Sequence, residues 1–75
     1  MQIRFSRHAN RRARLYKITE SIIEGILADI ELSQGKHEIT KEIKGFKYPL
    51  KIVVSVENDI ITVITIYPLK KRREK

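Results

Sequence analysis

The sequence predicts an α+β domain of order β-α-α-β-β-β, an antiparallel sheet with two helices packed on one face. Three observations carry that prediction. Apolar residues in the first half recur every three to four positions, as on one side of a helix. After Gly35 the period falls to two. β-Branched residues then dominate the final third, which suits a pleated, half-buried surface. A length of 75 residues accommodates one domain, 1–69, followed by a basic tail, 70–75.

Gln2 to Phe5 alternates polar and apolar residues and reads as a short edge strand. Ser6 is an N-cap for a helix from Arg7 to about Leu15, because its hydroxyl can accept from a free amide of the first turn. Ala9, Ala13 and Tyr16 share one side of that helix, and His8, Arg12 and Leu15 form the neighbouring stripe. Thr19 caps a second helix whose apolar face is Ile22, Ile23, Ile26, Leu27 and Ile30, with Glu20 and Glu24 near its positive end. Ser33-Gln34-Gly35 is expected to end it, Gly35 being free to adopt a left-handed conformation.

Three strands follow, His37 to Ile43, Tyr48 to Glu57 and Ile60 to Tyr67. Lys44-Gly45-Phe46 joins the first two and Asn58-Asp59 signals a tight turn between the last two. A two-residue loop there places Leu50, Ile52, Val54 and Val56 on one face with Ile61, Val63, Thr65 and Tyr67, against the helices. Lys51, Val53, Ser55, Ile60, Thr62, Ile64 and Ile66 then lie opposite. A three-residue loop reverses the pairing and brings Lys51 beside Thr65 and Tyr67, since a slip of one residue turns every side chain over. Both registers are open to this sequence.

Composition narrows the function. There is no Cys, hence no disulfide framework and no thiolate metal site. No apolar run approaches the roughly 20 residues that span a bilayer, so no membrane partner is expected. The first residues lack an apolar stretch of signal-peptide length, and the expected location is cytoplasmic. Sixteen Lys and Arg against nine Asp and Glu give a formal charge of +7. Arg4, Arg7, Arg11, Arg12 and Arg14 form one cluster and Lys70, Lys71, Arg72, Arg73 and Lys75 another. Phosphate backbones are the natural partner of such clusters, because neutralising phosphates releases counterions. A solvated, highly charged face is the bland alternative.

His8 and Arg12 stand four residues apart and so share a helix face. A fixed cation beside an imidazole favours its neutral form, able to take a proton near pH 7. The guanidinium can steady the phosphorane formed when an RNA 2′-hydroxyl attacks phosphorus. By spacing alone, a purely structural His8 bonded to a backbone carbonyl is the commoner outcome. His37 has no partner at metal spacing, so no metal and no cofactor are expected. There is no Gly-rich phosphate loop and no nucleophile elbow. Glu38 and Glu42 read as surface charges paired with Lys41 or Lys44. Phe46, Tyr48 and Tyr67 can stack on bases, although at least two of the three are expected in the core.

The series Ser6-x-His8-Ala9-x-x-Arg12, Ile18-Thr19, Val53-Val54-x-Val56 and Ile64-Thr65-x-Tyr67 resembles a family of small domains with a Ser-x-His-Ala-x-x-Arg start and an Ile-Thr-x-Tyr end. That family looks like a branch of the RelE/ParE-like toxin superfamily, within the barnase–EndoU–colicin–RelE fold. The resemblance runs from Phe5 to Tyr67. It implies a compact sheet-and-helix toxin domain, an antitoxin partner whose acidic segment covers the basic face, and metal-independent RNA cleavage by basic residues with a Tyr or His. His8 and Arg12 match the start motif, Thr65 and Tyr67 the end motif, and Lys51 lies in the strand where such members often place basic residues. Tyr16 and Lys17 stand where the start motif often continues with Arg and Gly, and the two central strands contain no Arg.

The expected function is a toxin-like endoribonuclease acting by 2′-hydroxyl transesterification on RNA, free or ribosome-bound. His8, Arg12, Lys51, Thr65 and Tyr67 form the expected catalytic set. Arg4, Arg7, Arg11, Arg14, Lys70, Lys71, Arg72 and Arg73 are the expected nucleic-acid contacts. The alternatives are a non-catalytic module that binds nucleic acid or a protein partner, and a ParE-like gyrase inhibitor. An exposed edge strand offers pairing to a second copy, hence a homodimer, or to an antitoxin strand.

Overall fold

A computed structural model describes residues 2–69. The elements, in chain order, are β1 (Gln2–Phe5), α1 (Arg7–Leu15), α2 (Glu20–Ala28), β2 (Gly35–Lys41), β3 (Leu50–Glu57) and β4 (Ile60–Pro68). The architecture is a small α+β domain, with both helices contributing to a core on one face of a four-stranded sheet. Among the described residues no helix is long and apolar enough to cross a membrane.

The sheet is mixed, which corrects the expectation of an all-antiparallel one. Strand order is β1-β4-β3-β2, with β2, β3 and β4 antiparallel in turn and β1 parallel to β4. Two helices separate β1 from the strands that follow, so no tight turn dictates its direction. β1 takes the free edge of β4, anchored where Gln2 N–H donates to the Asp59 carbonyl at 2.9 Å. In this direction it delivers the chain into α1 alongside the second half of β4.

Both helices begin at the anticipated caps. Ser6 Oγ accepts from Ala9 N–H at 3.0 Å and Thr19 Oγ1 from Ile22 N–H at 3.3 Å. α2 ends earlier than expected, at Ala28 with Asp29 as C-cap. No basic residue lies in its last turn, and Asp29 and Glu31 would set negative charge against the negative helix end. Gly35, at φ +110°, opens β2 instead of closing the helix. β2 also starts and stops two residues earlier than the periodicity suggests, and β3 starts two later, leaving 42–49 as a loop.

The core is Ala9, Ala13, Ile18, Ile23 and Leu27 from the helical half, against Leu50, Ile52, Val54, Val56, Ile61, Val63 and Ile66. Every inward position of β3 is as expected. β4 departs from both simple registers, because it uses both of them. Next to the Asn58–Asp59 turn, Val56 faces Ile61 and Val54 faces Val63, the two-residue-loop register. A bulge between Val53 and Val54 then inserts Ile64, and beyond it Val53 faces Thr65, Ile52 faces Ile66 and Lys51 faces Tyr67. The phase of β4 therefore inverts: Ile66 is buried, and Thr65 and Tyr67 join Lys51 on the face away from the helices.

Candidate functional site

The bulge determines what the site contains. An extra residue leaves one carbonyl outside the regular ladder, and Ser6 Oγ–H donates to that carbonyl, on Ile64, at 2.9 Å. Ser6 N–H donates to the Val63 carbonyl at 3.0 Å. One residue thus caps α1 and fastens its start to β4 at the place where the strand changes phase. α1 then runs along the β4 edge that β1 no longer occupies, with Ala9 and Ala13 buried.

Beside that buried side runs a row at i, i+4 and i+8, His8, Arg12 and Tyr16, whose last member also packs against the core as expected. Arg12 Nε–H donates to His8 Nε2 at 3.4 Å, and Arg12 Nη1 donates to the Tyr16 hydroxyl at 3.1 Å. In that contact His8 Nε2 is the acceptor. Among the described residues two of the five guanidinium donors are engaged, which leaves three to meet an anion. Arg12 and Tyr16 line a depression of about 440 Å³ together with Thr65, Tyr67 and Pro68. Two motifs more than fifty positions apart thereby meet, at the edge where α1 flanks β4.

Lys51 sits directly across from Tyr67, in a row continued by Thr40. Its ammonium pairs with Glu38 Oε1 at 2.9 Å, a diagonal contact between β3 and β2. Glu38 was expected to pair with Lys41 or Lys44. The register instead puts Glu38 and Lys51 on the same uncovered face, within reach of each other. The hydrogen bond to Glu38, and then its negative charge, raise the Lys51 pKa above the ordinary lysine value; partial desolvation opposes them and Tyr67 adds slightly.

Among the described residues, the basic side chains do not gather on one surface. Arg12 turns toward the depression, whereas Arg7, Arg11 and Arg14 fall on the outer stripe of α1 and are exposed. Arg4 lies in another row of the uncovered sheet face, beside Thr62, Ser55 and Lys36. Lys70, Lys71, Arg72 and Arg73, with the rest of the tail, lie outside the described residues. His37 serves the chain itself: its Nε2–H donates to the Ser33 carbonyl at 2.8 Å. Among the described residues no three His, Cys, Asp or Glu side chains are grouped as metal ligands. Of the three aromatics expected largely in the core, only Phe46 packs against it, since Tyr48 and Tyr67 fall on loop and uncovered face.

Sequence reasoning overlooked two participants. Tyr16 was legible, because it continues the four-residue spacing of His8 and Arg12. Glu38 was not, because its partner depends on the β2–β3 register. Compared with models of known families, with curated proteins and with solved structures, the chain matches none.

Proposed function

We propose that this protein is a toxin-like basic domain that binds RNA and cleaves it without a metal ion, by attack of a ribose 2′-hydroxyl on the adjacent phosphate. One observation carries the reading: Arg12, Tyr16, Thr65 and Tyr67 line a single depression, with His8 bonded to Arg12 and Lys51 opposite Tyr67. The motif resemblance to RelE/ParE-like toxins supports it, and an acidic antitoxin segment is the protein partner it entails.

The chemistry follows from the groups present. Arg12 Nε–H releases His8 Nε2 as the substrate binds, and that nitrogen takes the proton of the 2′-hydroxyl as its oxygen bonds to phosphorus. The free N–H donors of Arg12 hold the phosphorane oxygens, where charge accumulates in the transition state. The bond to the 5′-oxygen breaks, and the Tyr67 phenol gives that oxygen its proton. The products are a 2′,3′-cyclic phosphate and a 5′-hydroxyl. Lys51 adds positive charge once an RNA phosphate competes with Glu38 for it, and Thr65 offers a hydroxyl beside the same phosphate.

The test is incubation of single-stranded RNA with the protein in a chelator. Wild type is expected to cut, and Arg12→Ala and Tyr67→Phe to cut about a hundredfold more slowly. Intact RNA with wild type, or unchanged rates in both variants, contradicts the reading. A second reading, a non-catalytic RNA-binding module, is favoured by the exposure of His8 and by Glu38 occupying Lys51. It is recognised by RNA held in a salt-dependent manner and left whole.

A further inference from the structure

The loop 42–49 between β2 and β3 is pinned at both ends and carries an aromatic, Tyr48, that is not part of the core packing. Phe46 N–H donates to the Ile43 carbonyl at 3.0 Å, closing a turn in which Gly45 takes φ +93°, a conformation that favours glycine. Ile43 and Phe46 pack against the core and anchor the loop from below. Its far end is tied where Leu69 N–H donates to the Pro49 carbonyl at 2.9 Å. Between these anchors the loop encloses a depression of about 330 Å³ lined by Glu42, Ile43, Lys44, Phe46, Tyr48 and Pro49, with Lys47 beside them. Tyr48 is half-buried and is not among the residues packed on the core. The Lys47 ammonium lies over its ring, 5.7 Å from the centroid.

We infer that this loop is a nucleotide subsite in which an unpaired RNA base stacks on Tyr48 while Lys44 and Lys47 hold the flanking phosphates. Lys47 occupies the ring face in the free protein and moves to a phosphate when the base arrives. Glu42, the one acid lining the depression, offers an acceptor to an exocyclic base amine. A stacked base suits an aromatic flanked by exposed lysines, as in single-strand binding grooves generally. Position specifies the strand. The loop joins Lys41 to Leu50, at the sheet end where Thr40, Lys51 and Tyr67 stand in one row. A short single strand therefore reaches from the loop past Lys51 to the depression beside Arg12. The inference rests on the proposal that RNA is the ligand, and deepens it by naming single-stranded RNA and a second contact.

The experiment measures binding of an end-labelled single-stranded oligoribonucleotide, and of the same sequence as a duplex, by fluorescence anisotropy. Proteins are wild type, Tyr48→Ala, Tyr48→Leu and Tyr48→Phe, each checked for folding by thermal melting. Loss of one stacked base is expected to weaken single-strand binding about fivefold to a hundredfold in Tyr48→Ala. Tyr48→Leu, which keeps an apolar side chain at that place in the loop, is expected to show the same loss, and Tyr48→Phe none. Duplex binding, in which no base is free to stack, is expected to stay unchanged in all three. Equal affinity of Tyr48→Leu and wild type for the single strand overturns the subsite, as does an equal loss on the duplex. Cleavage of the same oligonucleotide is read in parallel. A Tyr48 effect without cleavage sustains the subsite and removes the nuclease; cleavage without a Tyr48 effect does the reverse.

Discussion

Lys51 faces Tyr67 across β3 and β4 because one extra residue, Ile64, is inserted into the strand between the turn and that pair. Without the bulge the turn's register would carry Tyr67 to the core face and Ile66 to the open one. The candidate site and the core therefore depend on the same irregularity.

The inverted phase makes opposite demands on two isoleucines two residues apart. Ile66→Ala empties a fully buried position and is expected to cost about 2–5 kcal/mol. Ile64→Ala, at the half-buried bulge, is expected to cost about 1 kcal/mol or less. Urea denaturation of the two variants checks this; equal costs would contradict the bulged register.

Ser6 holds the helix cap and the bulge carbonyl with one hydroxyl. Ser6→Ala is expected to destabilise by roughly 2 kcal/mol, since a cap is lost and a part-buried carbonyl is left without its partner. Thr19→Ala loses only a cap, with an expected cost of about 1 kcal/mol. The comparison of denaturation midpoints isolates the second bond, and Ser6→Thr should restore most of it.

Glu38 raises the Lys51 pKa, so the pair stabilises the fold while Lys51 is protonated. That contribution is complete below pH 10.5, the ordinary lysine value, and disappears as pH rises through the higher value of the folded state. Glu38→Gln should lie slightly below wild type in stability at neutral pH and converge with it above that range, as read from denaturation midpoints. It should also bind RNA more tightly at neutral pH, because Lys51 is then unpaired and one negative charge has gone.

Arg12 bridges His8 and Tyr16 with a planar fork that a lysine cannot reproduce. Arg12→Lys keeps the charge and should preserve RNA affinity at a given salt concentration, while slowing cleavage about tenfold to a hundredfold. Parallel binding and cleavage assays separate the two effects.

Much of this arrangement was legible in the residues. Ser6 and Thr19 announced both helices, because a hydroxyl before an apolar period has little other local use. The inward set Leu50, Ile52, Val54 and Val56 followed from strict alternation along an unbroken strand. Ile30 extended the helical period beyond the true end of α2, where the unfavourable charge of Asp29 and Glu31 outweighed it. The direction of β1 was hidden, since four alternating residues specify a strand and not its partner. The bulge was hidden for a deeper reason: Ile64 and Ile66 are chemically identical, and only packing distinguishes the one inside from the one inserted. His8 with Arg12 could be picked out by spacing, and Thr65 with Tyr67 by the motif resemblance, but their meeting depended on α1 replacing β1 along β4.

The most direct test of the account is analysis of the RNA ends produced in a chelator by wild type and by His8→Ala. The account predicts 2′,3′-cyclic phosphate and 5′-hydroxyl ends with wild type, and their loss by about a hundredfold or more in the variant. RNA bound but uncut by both proteins, or identical products from both, would contradict it.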